Sequence, residues 1–195
     1  RRTLLGLNVF VGRNFEEQLD QYANTLSNKP LSYDEVGATK GKLPDGYTID
    51  KYKIYLGTGK ADFDKAVNGF KQGISHRGAG LSIAPNDFIF EEGRSAMFGL
   101  KLGPFVLGIP NRIVYMEQSQ NLFTCAYGTI AGHPEKGEEL FKITLEENEQ
   151  VFYEIVCFSK IVAPLARIGF PVSRFLQKRM TCKYLSSLKD YVQQN

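Results

Sequence analysis

The hydrophobic pattern changes its period near residue 160, and this change constrains the fold more than any other feature of the chain. Residues 80–160 hold short apolar segments separated by turn residues, which is the pattern of strands joined by hairpins. Beyond them, apolar side chains recur at helical spacing along one stripe: Val172, Phe175, Leu176, Met180, Tyr184, Leu185, Leu188 and Val192. Pro171 suits the first turn of such a helix. We therefore expect a strand meander followed by a long C-terminal helix.

Six strands are predicted within the meander, at residues 81–83, 95–102, 111–118, 122–130, 139–146 and 151–159. Turn residues separate them, as in Gly132-His133-Pro134. Links of hairpin length favour antiparallel pairing over a parallel sheet with crossover helices.

The segment before the meander predicts one further strand and one helix. Residues 47–56 have strand composition, and residues 62–72 carry apolar side chains at helical spacing. Between them, Gly57-Thr58-Gly59 lacks the further glycines and the Lys-Ser or Lys-Thr of a phosphate loop, so we interpret it as a strand-to-helix turn. A short helix over residues 161–168, ending at Gly169, is predicted to precede the long one.

This order of elements is that of an α+β helix-grip fold, in which a curved antiparallel sheet wraps around the last helix. A cavity often lies between sheet and helix in that fold. The predicted domain covers residues 31–195.

Residues 1–30 are predicted to form an N-terminal arm and a short helix. Residues 4–11 are apolar, and residues 14–22 have helical spacing after an Asn cap. An exposed apolar arm invites aggregation, so we expect it to be covered, either by its own sheet or by a protein partner. The second alternative would make the chain a structural subunit of an assembly.

Charge gives little support for a nucleic-acid partner, because 24 Lys and Arg residues against 21 Asp and Glu leave a net charge of +3. No apolar run approaches the roughly 20 residues of a membrane-spanning helix. Between Lys160 and Asn195, however, seven residues are basic and one is acidic. The basic C-terminal helix could present a solvated face, a protein-docking surface or a contact for anionic lipid.

Cys125, Cys157 and Cys182 are widely spaced, which argues against a disulfide framework. With two histidines in the chain, we expect neither a metal site nor a cofactor. The expected location is a reducing compartment, either the cytoplasm or the interior of an organelle after removal of a presequence.

The segment from Ala126 to Phe141 resembles the signature of uncharacterised protein family 0548, a domain-of-unknown-function family of bacteria and plants. Further matches are residues 33–39, 43–47, 56–59, 76–81, 151–155, 158–160 and 177–188. Ile161 stands where the family usually has proline. The resemblance implies no established activity. A distant similarity to the START and polyketide-cyclase helix-grip proteins implies binding of lipids, hormones or polyketides in a cavity.

His133 lies in a predicted turn, where it could act as an acid or base at the mouth of a cavity, or bond the backbone and fix the hairpin. Glu139 and Glu154 fall among apolar strand positions, where burial without a partner would raise the pKa of a carboxyl group. Ion pairs with Arg77, Arg167 or Arg174 are the structural alternative.

His76 and Arg77 could contact an anionic group or cap a helix end. We predict a binding module for a small hydrophobic or amphipathic ligand. Its candidate binding residues are His76, Arg77, Tyr127, His133, Glu139, Tyr153, Glu154 and Arg167. The alternative is a cofactor-free acid/base enzyme, cyclase-like or hydrolase-like, that uses His133 with Glu139 or Glu154.

Overall fold

The computed structural model describes residues 2–4, 7–12, 14–162 and 170–194. Nine strands form one sheet: β1 Arg2–Leu4, β2 Leu7–Val11, β3 Thr48–Thr58, β4 Leu81–Ala84, β5 Ser95–Leu102, β6 Phe105–Gln118, β7 Leu122–Thr129, β8 Glu135–Leu145 and β9 Gln150–Ile161. The helices are α1 Phe15–Ala23, a 3₁₀ turn at Ala38–Lys40, α2 Gly59–Lys71, α3 Ile74–Gly78 and α4 Phe170–Gln193.

Every strand pair in the sheet is antiparallel, in the order β1-β2-β6-β7-β8-β9-β3. On its other edge β6 pairs with β5, and β5 pairs with β4. Helices α2, α3 and α4 pack on the concave face, with α4 against α2, α3 and β3. The core between them holds fully buried side chains such as Phe63, Phe70, Phe141 and Leu188. The predicted α+β helix-grip fold is confirmed.

The predicted strands match closely except at their starts. β6 begins six residues before the predicted residue 111, because Gly103-Pro104 alone makes the hairpin turn. Pro110 lies inside β6, at the gap between the residues that pair with β2 and those that pair with β7. Proline has no backbone N–H to donate, and it is tolerated here because the edge of β6 that faces β2 and β7 has no ladder partner at this gap. The helix predicted from residue 161 is wrong at its first residue, since Ile161 ends β9, and residues 163–169 lie outside the described part of the chain.

The described N-terminal residues pack on the chain's own sheet. β2 pairs with the first part of β6, and α1 contacts β4 and β5. Phe10, Leu19 and Leu26 are buried in a second apolar cluster with Met97 and Ile130. The described part of the apolar arm is therefore paired with its own sheet, with Phe10 fully buried and Val11 45% exposed, while the division of the chain at residue 30 stays a prediction. None of the described helices is long and apolar enough to cross a membrane.

Candidate functional site

A cavity of about 340 Å³ lies between the concave face of the sheet and helix α4. Its apolar end is formed by β4, β5, β6 and one side chain of α4, through Leu81, Phe98, Leu100, Leu107, Ile109 and Met180. Its polar end is formed by β7, β8, β9 and α4, through Tyr127, Glu135, Glu139, Cys157, Gln177 and Tyr184. The cavity is thus amphipathic along its length.

Glu139 is the acid that the strand alternation of β8 directs into the cavity. It shares a face with Phe141 and Ile143, both fully buried in the core. Burial raises the pKa of Glu139 to about 8, and the nearby Glu135 and Asp50 add to the rise. At neutral pH this carboxyl group is therefore mostly protonated.

The predicted ion pair between Glu139 and an arginine is absent from the described residues. Arg174 binds Asp50 instead, through two hydrogen bonds of 2.8 and 2.9 Å. Arg77 is exposed in the last turn of α3 and lies outside the cavity lining. Arg167 lies outside the described residues.

His133 lies in the β7–β8 turn and lines the cavity. The Glu135 N–H donates to its Nδ1 at 2.9 Å, which is the hairpin contact expected from the sequence. Burial in the cavity wall lowers the pKa of His133, so the ring is neutral at physiological pH. The same residue thus fixes the turn and forms part of the cavity wall.

His76 is fully buried behind the cavity rather than exposed at a helix end. Its ring stacks on Phe98, with centroids 5.0 Å apart, and its Nε2 lies 2.9 Å from the Tyr127 hydroxyl oxygen. Burial lowers the pKa of His76 to about 3. A neutral, enclosed ring cannot pair with an anionic ligand, so His76 acts on the cavity only through Tyr127.

Tyr153 and Glu154 also do not reach the cavity. Tyr153 is buried in the core, where its hydroxyl lies 3.2 Å from the Ser75 hydroxyl. Glu154 lies on the opposite face of the sheet, 4.0 Å from Lys142. The assignment of Glu154 as a cavity acid is corrected, because even-numbered residues of β9 face away from α4.

The structure adds cavity residues that the sequence pattern did not reveal. The Gln177 amide donates to Glu135 Oε2 at 3.0 Å and to Ser159 Oγ at 3.1 Å, joining α4 to the sheet at the polar end. Tyr184 belongs to the apolar stripe of α4, so periodicity alone could not distinguish a cavity position from a core position.

Glu138 faces the opposite side of β8 from Glu139 and is buried there. It accepts hydrogen bonds from the Tyr33 hydroxyl (2.6 Å), the Gly37 N–H (2.7 Å), the Thr39 N–H (3.1 Å) and the Thr39 hydroxyl. Residues 33–39, which supply these donors, are therefore held on the convex face of the sheet. These contacts give Tyr33 a structural role on the convex face.

A family model described as a domain of unknown function, DUF1990, matches residues 32–187. This range holds every described residue of the cavity lining except Leu7. The chain belongs to the DUF1990 family. A UPF0548 protein of Arabidopsis thaliana is 30% identical over 141 residues, covering 69% of this chain and 68% of the relative. A UPF0548 protein of Dictyostelium discoideum is 27% identical over 192 residues, covering 84% and 86%.

The DUF1990 chain also shares its fold with solved structures. A hypothetical protein of Helicobacter pylori superposes with a TM-score of 0.54 at 12% identity, covering 84% of this chain and 96% of the other. The predicted resemblance to family 0548 and to helix-grip proteins is confirmed. Among the described residues, no group of three or more His, Cys, Asp or Glu side chains could hold a metal ion.

Proposed function

We propose that this DUF1990 protein is a binding module for a small hydrophobic or amphipathic ligand held between the sheet and α4. The observation that carries the proposal is the cavity of about 340 Å³, apolar at one end and polar at the other. Ligand sites are typically concave, mostly apolar, and provided with a few polar groups that orient the ligand. The helix-grip fold supports the same function.

Native mass spectrometry of gently purified protein, with solvent extraction of any bound molecule, tests this proposal. We expect a co-purifying small molecule in the wild-type protein. Ile109→Trp fills the apolar end of the cavity and should abolish its retention. Ile49→Trp makes the same exchange at a position of β3 that is 39% exposed and outside the cavity lining, so it should retain the molecule.

A wild-type protein that carries no molecule and takes up none of a panel of apolar fluorescent probes would contradict the binding function. Equal retention by the Ile109→Trp and Ile49→Trp proteins would place the bound molecule elsewhere on the surface.

A second candidate function is cofactor-free acid/base catalysis, because His133 and Glu139 line one cavity. A protonated Glu139 could donate a proton, while His133, whose Nδ1 accepts the Glu135 N–H, would carry its ring proton on Nε2 and could donate a hydrogen bond to the substrate. Hydrolysis of 2-naphthyl acetate offers a test. Catalysis predicts a rate above that of buffer, and a Glu139→Gln protein with lower kcat but similar KM. A wild-type rate equal to that of buffer counts against hydrolysis.

We also propose that this protein has a protein partner and resides in a reducing compartment. The arm of residues 1–30 lies on its own sheet where it is described, so the exposed basic residues Lys178, Arg179 and Lys183 of α4 are the better docking candidates. Burial raises the pKa of the Cys125 and Cys157 thiols, which agrees with unreactive, reduced cysteines. Pull-down with a triple Lys178→Glu, Arg179→Glu, Lys183→Glu control tests the docking surface.

A further inference from the structure

Tyr127 and Glu139 meet at the polar end of the cavity. They are direct cross-strand partners on β7 and β8, and both line the cavity. Directly opposed residues on one face of an antiparallel pair have Cβ atoms about 5 Å apart. The phenol and the carboxyl group can therefore approach one ligand atom from two sides.

His76 determines which way the Tyr127 hydroxyl points. Its Nε2 lies 2.9 Å from the Tyr127 oxygen, while Nδ1 is buried and has no hydrogen-bond partner among the described residues. A neutral imidazole carries its proton on one nitrogen, and a buried N–H without an acceptor is rarer in proteins than an under-satisfied acceptor. The proton therefore belongs on Nε2, which donates to Tyr127. Tyr127 then keeps its own proton for the cavity side, where Glu139 and Tyr184 also lie within hydrogen-bonding reach of its oxygen.

Glu139 presents a second donor as long as it keeps its proton. Burial raises its pKa to about 8, and a carboxylic acid that stays neutral in an apolar site can donate a hydrogen bond. The titratable groups that face it or lie next to it are Tyr127 on β7, His133 in the following turn, Glu135 on β8, Tyr153 and Cys157 on β9, Asp50 and Tyr52 on β3, and Tyr184 and the exposed Lys178 on α4.

The described lining of the cavity contains no Lys or Arg side chain. An ionised ligand carboxylate at the polar end would be desolvated without a cation and would face the acids Glu135 and Glu139. The polar end is thus suited to an oxygen that accepts hydrogen bonds and carries no charge.

We propose that this end of the cavity binds the carbonyl oxygen of an uncharged ligand, which accepts hydrogen bonds from both the Tyr127 hydroxyl and the Glu139 carboxyl group. The ligand's apolar part then lies against β5 and β6. The inference rests on the proposed binding function and adds the chemical class of the ligand: a ketone, aldehyde or ester with an apolar body.

Three naphthalene derivatives of similar size test the inference by titration calorimetry at pH 6.5. 2-Acetylnaphthalene carries a ketone, 2-ethylnaphthalene lacks the oxygen, and 2-naphthoate is an anion. We expect the wild-type protein to bind the ketone about tenfold more tightly than the hydrocarbon, the size of effect that one or two neutral hydrogen bonds produce. Naphthoate should bind more weakly than the ketone.

Variants separate the two donors. Tyr127→Phe and Glu139→Leu should each reduce the preference for the ketone while leaving binding of 2-ethylnaphthalene similar. Glu139→Gln keeps an uncharged donor and should keep the preference. Tyr115→Phe removes a buried hydroxyl on the convex face, where Tyr115 contacts Thr39, and serves as the matched control.

The pH dependence of the preference for the ketone is a second test, which remains informative even if the Tyr127→Phe and Glu139→Leu proteins do not fold. The wild-type preference for the ketone should decline as pH rises past about 8, whereas Glu139→Gln should show no such decline. Equal binding of ketone and hydrocarbon by the wild type, or tighter binding of naphthoate, overturns the inference and leaves the binding function intact. Failure of all three compounds to bind overturns both.

Discussion

Glu138 and Glu139 are neighbours in β8, and their carboxyl groups have opposite surroundings. Glu138 accepts four hydrogen bonds on the convex face, while burial raises the pKa of Glu139 to about 8 on the concave face. Strand alternation alone predicts that the two point to opposite faces. It could not predict which would find donors, because these come from a segment about 100 residues earlier in the chain.

Glu139 should make stability fall as pH rises. The folded protein keeps this proton up to about pH 8, whereas an unfolded glutamate loses it near pH 4.5. Between these values the unfolded state binds fewer protons, so the free energy of unfolding decreases with pH, by at most about 1.4 kcal/mol per unit for this one group. Urea titrations between pH 5 and 8 should show a shallower slope for Glu139→Gln. Glu154→Gln, at a partly exposed site, is the control that should leave the slope unchanged.

The Glu→Gln substitution at position 138, in contrast, should destabilise the protein. Glu138→Gln replaces one carboxylate oxygen by an NH2 group. This group faces either the Tyr33 hydroxyl and the Gly37 N–H or the Thr39 N–H and hydroxyl, and it leaves at least one backbone N–H without its acceptor. We expect a loss of about 2–3 kcal/mol. At pH 8, urea denaturation should therefore rank Glu138→Gln well below the wild type and Glu139→Gln at or above it. Similar stabilities for the two variants would contradict the assigned surroundings.

At the scale of elements, the helices on the concave face depend on close approaches that hydrophobic periodicity does not encode. The apolar stripe predicted α4 and its buried side, and the turn signals predicted five of the strands of the meander within a few residues. The close contact between α3 and α4 instead requires a glycine at position 78. A Cβ atom there would lie 2.4 Å from the Cβ atom of Ser187.

Gly78→Ala should destabilise the protein by about 1–3 kcal/mol, because the Ser187 Cβ atom is fixed by the α4 backbone and cannot rotate away. Ser187→Gly removes the opposing atom. A double-mutant cycle followed by thermal unfolding should show that Gly78→Ala costs much less in the Ser187→Gly background. Additive losses would mean that the two helices are not held at this distance.

For the whole molecule, the N-terminal residues complete the sheet rather than extend from it. The amphipathic pattern of residues 14–22 predicted a helix, but the sequence left open whether the arm is covered by its own domain or by a partner. That choice depends on the unpaired edge of β6, a tertiary feature about 100 residues away. Local patterns carry no information about it.

Removal of residues 1–30 should expose Met97, Val106 and Ile130 and leave the start of β6 unpaired. We expect a large fall in melting temperature and a tendency to aggregate. Phe10→Ala, which deletes one fully buried ring, should cost about 3–5 kcal/mol. Size-exclusion chromatography and melting curves measure both. A truncated protein as stable as the full chain would show that the arm does not contribute to this domain.

The opposite orientations of Glu138 and Glu139 also bear on how the gene can change. Loss of a single codon between Gly137 and Leu140 would shift the following strand by one position and exchange its two faces. The remaining glutamate would keep the position among the four donors, Leu140 would take the cavity position of Glu139, and apolar side chains that now fill the core would turn outward. Insertions and deletions should therefore be tolerated in the loops of this protein but not in this stretch of β8, where one missing residue removes the cavity acid and turns the core side chains of the strand outward.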